Sequence, residues 1–224
     1  MKKEKKFTLL SAIAAILIAA LIVSAAVAIT VFGRGMYAAN IADSDLPART
    51  GIGEEEILAN YNALIDYNSV FFTGPLNFPT LPMSDNGREH FREVKTIFSA
   101  FQIALIISAA GAALLCVFLL KKRKTGFLIA GGILAIVIPA AAGLLMAAVG
   151  WDQFFVLFHQ LMFNNDFWIF DQTTDPIIML LPDSYFLQCL KKIITLIVVP
   201  AICLIILPRG LRAQRRPPKD PSLQ

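Results

Sequence analysis

Apolar residues in this chain are gathered into four long segments, and this pattern predicts four membrane-spanning helices. The segments cover residues 7–32, 97–120, 126–149 and about 187–207. The first three contain no Asp, Glu, Lys, Arg or His, and each exceeds the roughly 20 residues that cross the hydrocarbon core of a bilayer. The fourth reaches that length only if Lys191–Lys192 belongs to its outer end, where lysine can snorkel to the headgroups. We therefore predict an all-α membrane protein.

The basic residues predict the orientation of these spans. They form three clusters: before the first span, between the second and third, and after the fourth. With four spans, all three clusters lie on one side, which the positive-inside rule makes cytoplasmic. Both termini are then cytoplasmic, and the outer loops 33–96 and 150–186 form an extracellular cap. Residues 1–224 are predicted as a single integral membrane domain with a basic cytoplasmic tail at 208–224.

Composition agrees with a membrane protein. Apolar residues make up 57% of the 224 residues, and the mean hydropathy is +0.66, which is unusual for a soluble domain of this length. The formal net charge of +4 comes from the cytoplasmic clusters and suits contact with anionic lipid. These clusters lack the interleaved aromatic side chains of a nucleic-acid surface. We expect membrane lipid as a partner and no nucleic acid.

The first span has a second interpretation, as a cleaved signal peptide. Basic residues precede it, and the Ala-Val-Ala sequence at 26–28 resembles a cleavage site. The apolar run is long and continues to residue 32, which favours an uncleaved span. Cleavage would leave three spans and a new outer N-terminus.

The first outer loop contains two stretches with helical signals. Glutamates at 54–56 precede apolar residues at helical spacing from Ile57 to Ile65, which predicts an amphipathic helix. A second helix is predicted to begin near Ser84 and to run without interruption into the second span. The polar residues 41–53 are predicted as a loop.

Two other parts of the cap carry weaker signals. Residues 71–82 are aromatic and interrupted by proline, and they fit either strands or a segment lying on the membrane. In the second outer loop, Phe155, His159 and Met162 recur at helical spacing. We therefore predict that the third span extends outward to carry His159.

The chain contains only two histidines, His90 and His159. One lies just before the second span and the other just after the third, and a charged turn at 121–124 joins these spans on the opposite side. The hairpin therefore returns both imidazoles to one surface. Histidine has the side-chain pKa nearest to neutrality, so two of them at one interface indicate proton transfer.

Several other chemistries lack their sequence signatures. The chain has no HExxH metal motif, no GxSxG nucleophile elbow and no glycine-rich phosphate motif. The absence of ionisable residues from the spans argues against a transporter. A metal site from His90, Glu93, His159 and Asp166 stays open, but its spacing is not diagnostic. We expect neither a metal nor another cofactor.

Two stretches around the histidines resemble those of the bacterial lipoprotein intramolecular transacylases. The first, at 90–95, reads His-Phe-Arg-Glu-Val-Lys and is similar to an H-x-x-[D/E]-V-K element. The second, at 159–170, reads His-Gln-Leu-Met-Phe-Asn-Asn-Asp-Phe-Trp-Ile-Phe, and a Leu-Pro turn at 181–182 then leads into the last span. The four-span layout with an outer cap is also similar.

This resemblance implies an enzyme, an acyltransferase whose substrates are diacylated bacterial lipoproteins. The sn-2 acyl chain of the S-diacylglyceryl-cysteine would move to the α-amino group and give the lyso-form lipoprotein. The resemblance also implies a multi-pass protein of the bacterial plasma membrane with its active site at the extracellular face. His90 and His159 would serve as general acid and base, with their order left open.

Seven further residues are predicted to support this chemistry, although a purely structural role for each stays open. Glu93, three residues after His90, is expected to orient it. The expected pocket lining comprises Tyr61, Phe163, Trp168 and Tyr185, and the expected hydrogen-bonding partners of the substrate are Asn165 and Asp166.

Two other functions stay open on the sequence. The protein fits a non-enzymatic membrane protein whose outer cap binds a partner and senses pH through its histidines. A metal-dependent lipid hydrolase is a weaker alternative. The sequence does not indicate the oligomeric state.

Overall fold

The structure, a computed structural model, describes residues 2–213, and the side chains of 8–206 and 208 among them. All regular secondary structure in this part of the chain is helical, which confirms the all-α prediction. The helices are α1 (Lys2–Val31), α2 (Gly35–Asp43), α3 (Leu46–Thr50), α4 (Glu54–Tyr67), α5 (Asp85–Lys121), α6 (Gly126–Val149), α7 (Trp151–Met162), α8 (Ile177–Leu180) and α9 (Asp183–Ala213). The predicted tail at 208–224 therefore begins inside α9, and 214–224 lie outside the described residues.

Four helices are long and apolar enough to cross a membrane, as predicted: α1, α5, α6 and α9. Helix α5 has 37 residues, so its length is about 55 Å, well beyond the roughly 30 Å hydrocarbon core. Its first turns, 85–96, are rich in polar residues, whereas 97–120 are apolar. The predicted start of this helix is also confirmed, because the Ser84 hydroxyl accepts a hydrogen bond of 2.9 Å from the Gly87 amide.

Helix α1 lies at the centre of the bundle and packs against α5, α6 and α9. Small residues of α6 allow close approach to two neighbours: a Cβ on Gly131 would lie 2.8 Å from Ile18 Cγ2 of α1, and one on Gly132 would lie 2.7 Å from the Ala201 carbonyl of α9. Without a hydrophobic driving force in lipid, such close packing is what holds spans together.

The cap differs from its prediction in the region 41–53. This region contains the end of α2 and all of α3 instead of a loop. The reason is tertiary: Ile41 and Leu46 are fully buried in the core of the cap, and that burial outweighs the polar character of their neighbours. Helix α4 is present as predicted, and the described residues 71–82 form turns and irregular chain without a strand.

The predicted outward extension of the third span is wrong. Helix α6 ends at Val149, and Gly150, with φ 83°, separates it from α7. A positive φ is readily adopted by glycine and rarely by other residues, so Gly150 is a natural helix break. His159 is carried by this separate helix, α7.

Candidate active site

The two histidines meet in the cap although 69 residues separate them in the chain. Their ring centroids lie 6.1 Å apart with 32° between the ring planes. His90 comes from the polar first turns of α5, and His159 comes from α7. No hydrogen bond joins the two imidazoles among the contacts of the described residues, and the ring of Phe163 contacts both.

His90 is buried, with 5% of its surface exposed. The rings of Phe163 and Phe170 meet it edge-on at centroid distances of 4.7 and 5.4 Å. Burial lowers the pKa of His90 to about 4, and the neighbouring His159 contributes to the same shift. Its Nδ1 atom is buried without a hydrogen-bond partner. Such orphaned atoms are uncommon in folded proteins and are often found at functional sites.

His159 is half-buried and hydrogen-bonded. Its Nδ1 lies 2.8 Å from the carbonyl oxygen of Phe155. A carbonyl only accepts, so Nδ1 carries the proton, and Nε2 keeps its lone pair in the neutral ring. The rings of Phe155 and Trp168 pack against the imidazole at 4.2 and 4.8 Å. Burial lowers the pKa of His159, while the bond to Phe155 and the negative charge of Asp183 oppose this shift.

Asn165 links the second outer loop to α5. Its amide nitrogen lies 2.9 and 3.2 Å from the two carboxylate oxygens of Glu93. Its side-chain oxygen accepts from the Phe167 amide at 3.0 Å, and its backbone carbonyl accepts from Trp168 Nε1 at 3.1 Å. Glu93 therefore bonds to Asn165 rather than to His90, which it was predicted to orient. Through Trp168, this network supports the other histidine, His159.

The predicted pocket residues divide into two groups. Phe163 is buried and contacts both histidines, at 4.7 and 5.7 Å, and Trp168 contacts His159. Tyr61 and Tyr185 instead lie in the core of the cap, where their hydroxyls are 2.7 Å apart. Neither tyrosine ring contacts a histidine among the ring pairs of the described residues.

Tyr37 completes that core by stacking on Tyr61 with ring centroids 3.6 Å apart. Its hydroxyl donates to the Leu180 carbonyl at 2.8 Å. The tyrosines therefore join α2, α4 and α8 to the start of α9. The last predicted residue, Asp166, has an exposed side chain.

Asp175 is a further residue of the site that was not predicted from the sequence. This carboxylate is 2% exposed, and its Oδ1 accepts from the backbone amide of Ser84 at 2.8 Å, across 91 residues of sequence. Its Oδ2 accepts from the Thr174 hydroxyl at 2.7 Å. A carboxylate is favoured at a helix N-terminus by the helix dipole. Asp175 thus fastens the second outer loop to the N-cap of α5, six residues before His90.

The geometry does not favour the metal alternative. No group of three or more His, Cys, Asp or Glu side chains is placed to hold a metal ion within the described part of the chain. Glu93 is bonded to Asn165, and Asp166 is exposed, so neither joins the histidine pair.

Fold and site together define an integral membrane protein with a pair of adjacent histidines in an aromatic cap. The family model described as lipoprotein intramolecular transacylase Lit matches residues 12–186. A solved structure of this transacylase from Bacillus cereus is 36% identical, has a TM-score of 0.89, and the match covers 95% of this chain and 99% of that one. A search of curated proteins found no match.

Two further solved structures are Bacillus cereus transacylase variants in which one histidine is replaced. The arginine variant is 35% identical with a TM-score of 0.83, and the match covers 96% of this chain and 95% of that one. The alanine variant is 35% identical with a TM-score of 0.84, covering 96% and 97%. The chain belongs to the lipoprotein intramolecular transacylase family. It is a multi-pass membrane acyltransferase that acts on lipoproteins.

Proposed function

We propose that this protein moves the sn-2 acyl chain of an S-diacylglyceryl-cysteine to the α-amino group of the same cysteine. The observation that carries the proposal is the pair of adjacent, desolvated imidazoles, His90 and His159, at the end of a membrane bundle. The reaction needs amine and ester to meet where lipid and water adjoin, and it needs one proton to move between them. The product is the lyso-form lipoprotein.

His159 is the general base in this proposal. The amine must be neutral to attack, and its ammonium form has a pKa near 8. As the amine nitrogen bonds to the ester carbon, it loses a proton to Nε2 of His159, the nitrogen that the Phe155 bond leaves unprotonated. The same proton then passes to the sn-2 glycerol oxygen as the carbon–oxygen bond breaks. From the neutral amine onward no net proton is gained or lost; an amine that arrives as the ammonium first releases one proton to solvent.

His90 stabilises the tetrahedral intermediate. Its low pKa keeps it neutral, and a neutral imidazole carries one N–H group that can donate to the developing oxyanion. The aromatic side chains around it exclude water, which favours attack by the amine over hydrolysis. Holding amine and ester together beside these aromatic rings also gives a high effective molarity, on the order of 10⁵ M or more in well-oriented systems.

The surrounding residues position this pair. Asn165 and Glu93 hold the loop that presents Trp168 to His159, and Phe163 fills the space beside both rings. A histidine is also the residue replaced in two of the solved relatives, and this chain offers only two candidates for an equivalent position. We further propose that the histidines face the extracellular side, because the basic residues predict a cytoplasmic location for both termini.

The test expresses single variants in cells that lack other lipoprotein N-acylation and reads the N-terminus of a reporter lipoprotein by mass spectrometry. His90→Ala and His159→Ala should each lower transacylation by about 10²- to 10⁴-fold. Gln160→Ala, beside His159 but exposed, is the matched control and should stay active. Unchanged lyso-form product from both histidine variants, at normal membrane levels, would refute the proposal.

The two roles are separable by glutamine substitutions. His90→Gln keeps an N–H donor for the oxyanion, so it should retain at least about tenfold more activity than His90→Ala. His159→Gln supplies no base of suitable pKa and should be as inactive as His159→Ala. The opposite ranking would reverse the assignment.

A further inference from the structure

Helix α7 presents three different surfaces along its 12 residues. At about 100° per residue, these surfaces form separate stripes. The packed stripe, turned toward the rest of the cap, comprises Trp151, Phe155 and His159. The polar stripe comprises Asp152, Gln153 and Gln160, with the apolar Val156 between them, and the apolar stripe comprises Leu157, Phe158 and Leu161.

The apolar stripe is unprotected by the protein. Leu157, Phe158 and Leu161 are 37%, 46% and 83% exposed, and no residue of α7 is buried. A helix with this exposure would be an aggregation hazard in water. Its distribution of side chains is that of a helix lying at a membrane surface.

The position of α7 along the chain sets its level relative to the bilayer. Helix α6 has 24 residues, so its length is about 36 Å, only slightly more than the roughly 30 Å hydrocarbon core. Its first end follows the charged turn at 121–124, so its second end, Gly150, lies within a few ångströms of the opposite hydrocarbon edge. Near that end Leu144 is 73% exposed and Leu145 is 44% exposed. The lipid-facing surface of the span therefore continues directly to α7.

We propose that α7 lies in the plane of the membrane at the lipid–water boundary, with its apolar stripe in the acyl-chain region of the bilayer. The occupant of this surface is lipid rather than a second copy of the chain or another protein, because the surface is continuous with the lipid-facing side of α6. The polar stripe then faces water.

The placement of α7 in the membrane surface has one consequence for catalysis, the depth of His159, and this consequence rests on the proposed function. His159 lies about 150° around the helix from the centre of the apolar stripe. A helix with its side chains is about 10–12 Å across, and interfacial helices sink about 5–10 Å into the boundary. The imidazole is therefore held just above the acyl chains, at the level of the glycerol esters. Helix α7 acts as the spacer that matches the base to the depth of the reacting ester.

Depth can be measured on the full chain in lipid nanodiscs. A nitroxide on a genetically encoded keto amino acid replaces Leu161 in one sample and Asp152, on the opposite side of the helix, in another. We expect oxygen to relax the label at 161 more than a water-soluble nickel complex does, and the reverse at 152. The placement is overturned if the label at 161 is reached by the nickel complex, or is shielded from both reagents, as a protein partner or second copy would cause.

Activity gives an independent readout. Leu161→Asp should lift α7 from the lipid and lower kcat/KM for a diacylated lipopeptide in vesicles by about tenfold or more, whereas Gln153→Asp should have no effect. Equal activity of the two variants would contradict the spacer role. The depth measurement does not depend on catalysis, so it can fail while the histidine mechanism stands, and loss of that mechanism leaves the measured depth intact.

Discussion

The two helices that carry the histidines are held in opposite ways. Helix α5 is continuous with a membrane span, its first turn is capped by Ser84 and fastened by Asp175, and His90 is buried. Helix α7 has no buried residue and follows a glycine break. Its histidine is fixed mainly by a backbone carbonyl and two aromatic rings. One imidazole is thus built into a rigid element, and the other depends on a loop and on lipid.

This difference fits the two proposed roles, oxyanion donor for His90 and general base for His159. A donor to an oxyanion must be preorganised, because reorientation during the reaction would cost the stabilisation it supplies. A base that first meets the amine and then the leaving oxygen needs a fixed tautomer, but it must serve two positions in turn. The network of Glu93, Asn165 and Trp168 orients the ring of His159 while leaving α7 lightly packed.

The largest effect on the rigid side is expected from Gly87. A Cβ at this position would overlap Asp175 Oδ1 and lie 3.3 Å from a ring carbon of Phe170. Gly87→Ala should therefore separate the second outer loop from α5 and lower unfolding stability by about 1–3 kcal/mol, with a matching loss of activity. Thermal unfolding in detergent measures this effect. Gly35→Ala is the control, because a Cβ there meets nothing within 4 Å; equal shifts for both variants would contradict the argument.

A loss of stability of similar size is expected from removing the buried carboxylate itself. Asp175→Ala leaves the Ser84 amide without its partner, at a cost of about 1–3 kcal/mol, and Asp175→Asn should be milder because its amide oxygen still accepts. Asp171, whose side chain is exposed and bonds only within its own loop to Thr173, supplies the control Asp171→Ala. If Asp171→Ala lowers the free energy of unfolding as much as Asp175→Ala does, the bond from Asp175 to the start of α5 is not the source of the stabilisation.

On the loosely held side, the Asn165 network should affect catalysis more than stability. Asn165→Ala should lower kcat by about tenfold, roughly 1.4 kcal/mol in the barrier, while its exposed neighbour Asn164→Ala should have little effect. Trp168→Phe keeps a ring on His159 but removes the indole donor. The double variant Asn165→Ala, Trp168→Phe should raise the activation barrier by less than the sum of the two single variants, because both residues belong to one network. If the two effects on kcat are fully additive in steady-state kinetics, Asn165 and Trp168 do not act through one network.

The smallest change is a difference in titration between the two rings. With only two histidines, carbon-13 labelling of histidine yields one signal set for each, and the alanine variants assign them. His90, whose pKa burial lowers to about 4, should remain neutral at pH 6, where an ordinary imidazole of pKa near 6.5 is mostly protonated. A titration midpoint for His90 near 6.5 would contradict its buried, neutral role.

The lowered pKa of His90 also makes the stability of the folded protein depend on pH. The folded-state pKa of His90 lies below its unfolded value, so the unfolded chain binds more protons between these two values. Its contribution to stability is complete above about pH 6.5 and declines as the pH falls toward 4. His90→Phe should flatten this part of the stability curve, as thermal unfolding over that pH range would show.

The sequence by itself determined the four spans and the return of both histidines to one end of the bundle. Long apolar runs cannot be buried in so small a chain except by lipid, and a charged turn between two spans leaves their far ends on the same side. The helix at Glu54–Tyr67 and the Ser84 cap followed from local periodicity and from capping chemistry, which act within a few residues.

Only the tertiary structure decided how the histidines are supported. Asp175 reaches Ser84 across 91 residues and Asn165 reaches Glu93 across 72, and neither pairing leaves a periodic signal in the sequence. Tyr61 and Tyr185 were assigned to the pocket by their chemistry, but packing buried them against each other in the core of the cap. Burial likewise sets the low pKa of both histidines, since desolvation depends on which rings close around them and not on their neighbours in the chain.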